Sequence, residues 1–214
     1  SKELFSELPS VEDFKQKEFT SASEFRNIFQ IFNKYIVIEY QDPILWIVDQ
    51  HAAAERINFE KLKFRELNSK NIQKLLIPEI VNFSSAQTLL LKEHRDFFKE
   101  LGFSYNIEKD GIILESIPTE YSAANFRDIF MEIFELEEDI NNLKKNFEKK
   151  KDDILATISC HGSVRSGQKL HHEEMIEIIN ELKKCKNPYS CPHGRPIVWE
   201  LKLSEIDSHF ERTY

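Results

Sequence analysis

YIVIEYQDPILWIVDQHAAAERINFEKL, residues 35–62, is the stretch on which the fold turns. Its first half holds two runs, YIVIEY and ILWIVDQ, dense in β-branched and aromatic side chains that suit a pleated, half-buried surface. Gln41-Asp42-Pro43 between them carries turn residues, so the pair predicts a hairpin. The composition then changes abruptly. HAAAERINFEKLKFREL, from His51 on to Leu67, is rich in Ala, Glu, Lys and Leu and predicts a helix. Asp49 and Gln50 therefore stand where a buried strand feeds a helix N-terminus, a common place for polar site residues in α/β proteins.

Working outward, FRNIFQIF from Phe25 alternates in part and extends the strand region. After residue 70, LLIPEIVNF predicts a strand. SSAQTLLLKEHRDFFKELGF predicts a helix capped by Ser84 or Ser85, and FSYNIEKDGIILESI a hairpin around Asp110-Gly111. A long helix from Ala123 to Lys149 is expected to close this block. DDILATISCHGSVRSGQ predicts another helix, with Ile154, Leu155, Ile158 and Val164 on one broad face. HHEEMIEIINELKKC has acidic residues early and lysines late, matching the helix dipole, and Asn187-Pro188 ends it. PIVWELKL reads as a short strand and SEIDSHFER as a last helical turn or two. Residues 1–20 are polar without a sustained period and are expected to be linker.

The chain has 214 residues, enough for one large domain or two small ones. Hydrophobic residues make up 41%, with 17 Phe, so a sizeable core can be buried. The net charge of -8 runs against a stand-alone nucleic-acid binder, which needs a basic excess to neutralise phosphates. Three cysteines and no apolar signal segment point away from a disulfide scaffold and toward a reducing, cytoplasmic setting where thiols can ligate metal. No apolar run approaches the ~20 residues needed to cross a bilayer.

Two segments carry the chemistry. On a helix starting near His51, His51 and Glu55 lie four apart and only about 40° apart around the axis. An imidazole and a carboxylate at that spacing can reach one ion, and Asp49 adds a second carboxylate at the same mouth. The competing reading is a polar pair on a solvated helix with Asp49 as its cap. Cys191-Pro192-His193-Gly194-Arg195-Pro196 is the second segment. In an extended loop, Cys191 and His193 point the same way, and thiolate plus imidazole suits zinc or another late divalent ion. Cys160-His161 is a third candidate; its competing reading is a core cysteine beside an exposed histidine. His94, His171, His172 and His209 read as surface residues, and Cys185 as incidental.

DQHAAAERINFE resembles the DQHA-x-x-E-x-x-x-x-E signature of endonuclease-type MutL proteins of DNA mismatch repair, with Asp49, His51, Glu55 and Glu60 on its fixed positions. CPHGRP at 191–196 is similar to a second signature of that family, and SCHGSVR to its Ala-Cys-basic motif, with Ser159 for the usual Ala. Phe210-Glu211-Arg212 resembles its terminal Phe-x-Arg element. Four motifs in order, across Phe25 to Arg212, make the resemblance specific.

The resemblance implies an α+β chain with a dimerisation and metal-site subdomain at 21–70 and 151–214 and an external regulatory subdomain at 71–150. It implies a homodimer that nicks one strand of duplex DNA with manganese or zinc, magnesium being a further candidate cofactor. The alternative is a dimerisation and docking module with a structural zinc and no cleavage. His51, Glu55, Cys160, Cys191 and His193 are the implied metal ligands, and Asp49, Glu55 and His51 the catalytic set. Glu60, Arg195 and Arg212 are supporting; Glu60 lies about 140° round the helix from Glu55, poorly placed for the same ion. Gln73, Leu76 and Pro78 in QKLLIP are similar to the Q-x-x-[LI]-x-P segment that docks on the replicative sliding clamp. A MutS-type mismatch-recognition protein is a further implied partner, reached through the full-length protein. No ATPase activity is expected, because no phosphate-cradling Gly-rich motif is present.

Overall fold

The computed structural model describes residues 25–40, 42–64, 72–119, 126–162 and 167–212. The expected linker at 1–20, Gln41 of the first turn, Ala123 of the expected long helix, and Val164 and Arg165 lie outside the described residues. The chain is α+β, with two antiparallel sheets and seven helices among the described residues. It divides into two units. One holds the described residues up to Ile57 and from Gly167 on; the other holds those within Asn58–Gly162.

The quoted stretch forms the heart of the first unit. Strands β1 (Phe25–Ile31), β2 (Tyr35–Tyr40) and β3 (Ile44–Asp49) form a meander, and helix α1 (Gln50–Lys63) follows without a loop. Strand side chains alternate between faces. One face buries Ile36, Ile38, Tyr40, Trp46 and Val48 in a core completed by Ala52, Ala53, Ile57, Met175, Ile179 and Leu182. Across the other face runs a row in strict register: Phe29 opposite Val37, Val37 opposite Ile47, and Ile47 opposite Trp199. Phe29 is 46% and Trp199 53% exposed. That sheet therefore presents large apolar side chains to solvent.

The second unit is built on β4 (Ile72–Asn82), α2 (Ser85–Glu93), α3 (Arg95–Glu100), β5 (Ser104–Glu108) and β6 (Gly111–Pro118), with α4 (Phe126–Phe134) and α5 (Ile140–His161). Its sheet order is β4-β6-β5. Ser84 caps α2 in a reciprocal capping box with Gln87, which settles the choice between the two serines. The β5–β6 hairpin turns at Asp110-Gly111 as expected; Gly111 sits at φ 150°, where a Cβ would lie 2.1 Å from the Val81 carbonyl oxygen. Only glycine fits there. Phe130 centres the core, with edge-to-face or tilted contacts to Phe98, Phe103 and Phe126 at 5.2, 6.0 and 4.7 Å. Each such pair adds about 0.5–1.5 kcal/mol beyond burial.

Three expectations change here. The long helix is broken: α4 ends at Phe134, and α5 begins after Asp139, whose side chain caps it by accepting from the Asn141 N–H. The DDILATISC run is no separate helix but the second half of α5, since no Gly or Pro interrupts it. His94 is half-buried rather than a surface residue, its ring stacked on Phe147 at 3.6 Å between centroids. Burial lowers its pKa below the ordinary 6.5, against the opposing pull of Glu93 and Glu148.

The chain returns to the first unit through α6 (His172–Lys184), β7 (Val198–Lys202) and α7 (Leu203–His209). Strand β7 pairs antiparallel with β3 and completes the sheet order β1-β2-β3-β7. No helix among the described residues is long and apolar enough to cross a membrane.

Candidate metal centre

A strand that becomes a helix within one residue leaves the first helical N–H groups without intrahelical acceptors. Asp49 supplies one. Its Oδ1 accepts from the backbone N–H of His51 at 2.9 Å and of Ala52 at 3.1 Å. The capping reading of Asp49 is thus correct, for one of its two carboxylate oxygens. Its own N–H donates to the Ile197 carbonyl at 2.9 Å, continuing the β3–β7 ladder to the end of the strand. Asp49 also lines a cavity of about 420 Å³, together with Phe32, Tyr35, Ile47, Pro196 and Trp199.

Helix α1 is buried nearly all round, which for an apolar helix would be unremarkable. Here Gln50, Glu55, Arg56 and Glu60 are among the buried residues, at 0, 1, 8 and 8% exposure. Buried charges need partners or they neutralise. Glu55 has one on its own helix: His51 Nε2 stands 3.3 Å from Glu55 Oε1, on the face that four-residue spacing brings together. Ala52, Ala53 and Ala54 between them are all buried and add no bulk around the pair. An imidazole nitrogen and a carboxylate oxygen, half-buried and buried, are a donor set that fits zinc or manganese.

The CPHGRP loop is folded as a tight turn. Cys191 N–H donates to the Arg195 carbonyl at 2.8 Å, and Gly194 N–H to the Cys191 carbonyl at 2.9 Å, with Gly194 at φ 81°. Ser190 and Pro196 bridge its ends. Arg56 holds the loop against α1 by donating from Nε to the Ser190 carbonyl at 2.7 Å. So two segments about 140 residues apart in sequence meet beside the strand-to-helix junction, through Arg56–Ser190 and Asp49–Ile197.

Cys191 itself is buried, whereas His193 and Arg195 are exposed. Within the first unit, among the described residues, no third ligating side chain joins His51 and Glu55 with all ligand atoms inside 4.8 Å. Cys160 is half-buried in the last turn of α5, in the second unit, where its neighbour His161 pairs with Glu132 at 3.1 Å. Glu60 lies farther along α1, and Arg212 is exposed beyond α7.

Gln73, Leu76 and Pro78 are all exposed on β4, an edge strand of its sheet. The β4–β6 register runs regularly to Lys74, breaks, and resumes at Glu79. Residues 75–78 therefore bulge out of the ladder, leaving Leu76 103% and Ile77 83% exposed. An ordinary buried strand does not look like this.

Sequence reasoning missed Gln30. Its side chain contacts Gln50 across the sheet end, and no motif marks it.

Over residues 28–170 the chain matches the family model described as the MutL C terminal dimerisation domain. Among curated relatives, it is 36% identical over 196 residues to the DNA mismatch repair protein MutL of Dictyoglomus turgidum, covering 89% of this chain and 33% of that one. It is 37% identical over 187 residues to the MutL of Fervidobacterium nodosum, covering 84% of this chain and 30% of the relative. The MutL of a Wolbachia species is 36% identical over 187 residues, with 86% and 29% covered. The chain spans about a third of the length of the curated relatives it matches.

The cap is separable from any chemistry at Asp49. Asparagine caps about as well as aspartate, whereas alanine costs about 1 kcal/mol. Urea unfolding is expected to place Asp49→Asn within a few tenths of a kcal/mol of wild type and Asp49→Ala about 1 kcal/mol lower.

Proposed function

Because this chain belongs to the MutL family through its C-terminal dimerisation domain, we propose that it is the homodimerising, metal-dependent nicking part of a DNA mismatch repair protein. The observation that carries the proposal is the buried Glu55 carboxylate beside His51, at the start of a helix capped by Asp49. A helix that served packing alone would place apolar side chains at such positions. The intact DQHA-x-x-E and CPHGRP sequences favour this reading over a docking module with structural zinc.

His51 and Glu55 are assigned to hold the ion, and Cys160, Cys191 and His193 keep the ligand roles that their motifs imply. A divalent ion held there would supply Lewis-acid chemistry, lowering the pKa of water and neutralising charge on a phosphodiester. The chain's own contribution is to fix the donors. Asp49 is tied by its backbone to Ile197, just before β7, and by Oδ1 to the helix, and its carboxylate is assigned to orient the attacking water or a ligand. Arg195 and Arg212, both exposed, are assigned to the phosphate or to the acidic site residues, and Glu60 to support. With a net charge of -8, the isolated chain is expected to hold DNA weakly and to rely on the rest of the protein or on a partner. In a supercoiled-plasmid assay with manganese, Asp49→Asn is expected to lose nicking by at least about 100-fold while keeping its fold. Full activity in that folded variant refutes the assignment.

The face that carries the row Phe29–Val37–Ile47–Trp199, exposed at Phe29 and Trp199, is the surface assigned to the second copy. Apolar patches of this kind on a sheet mark association surfaces. Trp199→Glu is expected to convert the dimer to monomer in sedimentation analysis; a dimer unchanged by that charge moves the interface elsewhere.

The bulge at 75–78 supports the sliding-clamp reading of Gln73, Leu76 and Pro78, because a short peptide presenting exposed apolar side chains suits groove recognition. Clamp capture is expected to drop at least about tenfold for the Gln73→Ala, Leu76→Ala double variant. Equal capture by wild type and variant removes this partner.

A further inference from the structure

Gln50 lies between the cap Asp49 and the ligand His51, yet its side chain goes elsewhere. It is fully buried, and its Nε2 donates to the Asn33 carbonyl at 3.0 Å and the Gln168 carbonyl at 3.1 Å. Its Oε1 accepts from Gln30 Nε2 at 2.6 Å, and its backbone N–H donates to the Lys34 carbonyl at 3.1 Å. Gln30 Nε2 donates in addition to the Gln168 carbonyl at 2.8 Å, while its Oε1 accepts from the Leu170 N–H at 3.1 Å. The Asn33 carbonyl also receives the Gly167 N–H at 3.0 Å.

These bonds join three pieces that are far apart in sequence: the β1–β2 turn, the first residue of α1, and the segment 167–170 leading to α6. The turn needs holding, since Phe32 and Asn33 sit at φ 54° and 52°, a conformation costly for a bulky residue such as Phe. Packing does not require amides. A leucine has a similar volume, and at Gln50 an apolar side chain avoids the cost of burying a primary amide. What the amides add is direction. Each bond fixes the rotation of Gln50 about the strand axis, and hence the rotation at which His51 and Glu55 leave the helix. A metal site tolerates only about 0.5 Å or 10–20° of misplacement in its ligands.

We propose that the Gln30–Gln50 amide pair is the positioning element of the metal centre, orienting the start of α1 so that the His51–Glu55 pair is preset for an ion. This rests on the metal reading of that pair. Gln50 and Gln30 are positioning residues and touch no reacting atom.

The test uses Gln50→Leu, Gln30→Leu and the double variant, with Ile179→Val, a core deletion in α6, as a control for plain destabilisation. Manganese(II) and zinc(II) affinities are read by calorimetry, and amide exchange at His51 and Ala52 by NMR. Each leucine variant is expected to weaken metal binding about tenfold, in the range seen when groups supporting metal ligands are removed. Exchange at the two capped amides is expected to speed up about as much. The double variant is expected to be no worse than the more affected single one, because both amides act through one network. Wild-type affinity and exchange in Gln50→Leu overturn the proposal, as does an equal loss of affinity in Ile179→Val. If the wild-type chain takes up neither metal, the metal reading fails and the proposal falls with it. The exchange arm then shows whether the amides orient the helix start at all.

Discussion

A helix that begins on the residue after a strand ends has to find acceptors for its leading N–H groups immediately, and much of this chain is arranged around that requirement. The Asp49 carboxylate meets it by accepting from His51 and Ala52. The chain pays for this abrupt junction by keeping polar side chains in a buried setting, where each must be bonded. Backbone pairing to Ile197 and the Arg56–Ser190 bond then bring the CPHGRP loop to the same place. The residues that the motif marks are also the residues that terminate the strand and start the helix.

Much of this was legible because it depends on neighbours in sequence. The strand–turn–strand–helix order in 35–62 follows from side-chain type, and the His51–Glu55 pair from a spacing that any α-helix converts into adjacency. The Ser84 capping box and the Asp110-Gly111 hairpin are local in the same sense. The break between α4 and α5 was not legible, because residues 135–139 contain no Gly or Pro and nothing in their helix preference stops the run. His94 was misread for another reason. Its stacking partner, Phe147, is 53 residues away by subtraction of their numbers, and an imidazole in sequence carries no sign of the ring that covers it.

Gln30 is the clearest limit. A glutamine in an alternating strand reads as solvent-facing, and only the fold brings it to Gln50, 20 residues on, and to Gln168, 138 residues on. Motif reading marks residues by type and spacing and passes over those that only the fold brings beside them. The family match adds the dimerisation assignment, which neither the site geometry nor the motif spacing carries alone.

The bulge in β4 has a second consequence, for solubility. An edge strand of 11 residues offers a row of backbone donors and acceptors that another chain can pair with, the usual route to edge-to-edge aggregation. Here the ladder is interrupted between Lys74 and Glu79, and Pro78 within the gap has no N–H to give. A foreign strand would lose register halfway along. The segment that leaves Leu76 and Ile77 exposed is thereby built so that a pairing strand cannot continue the sheet past it.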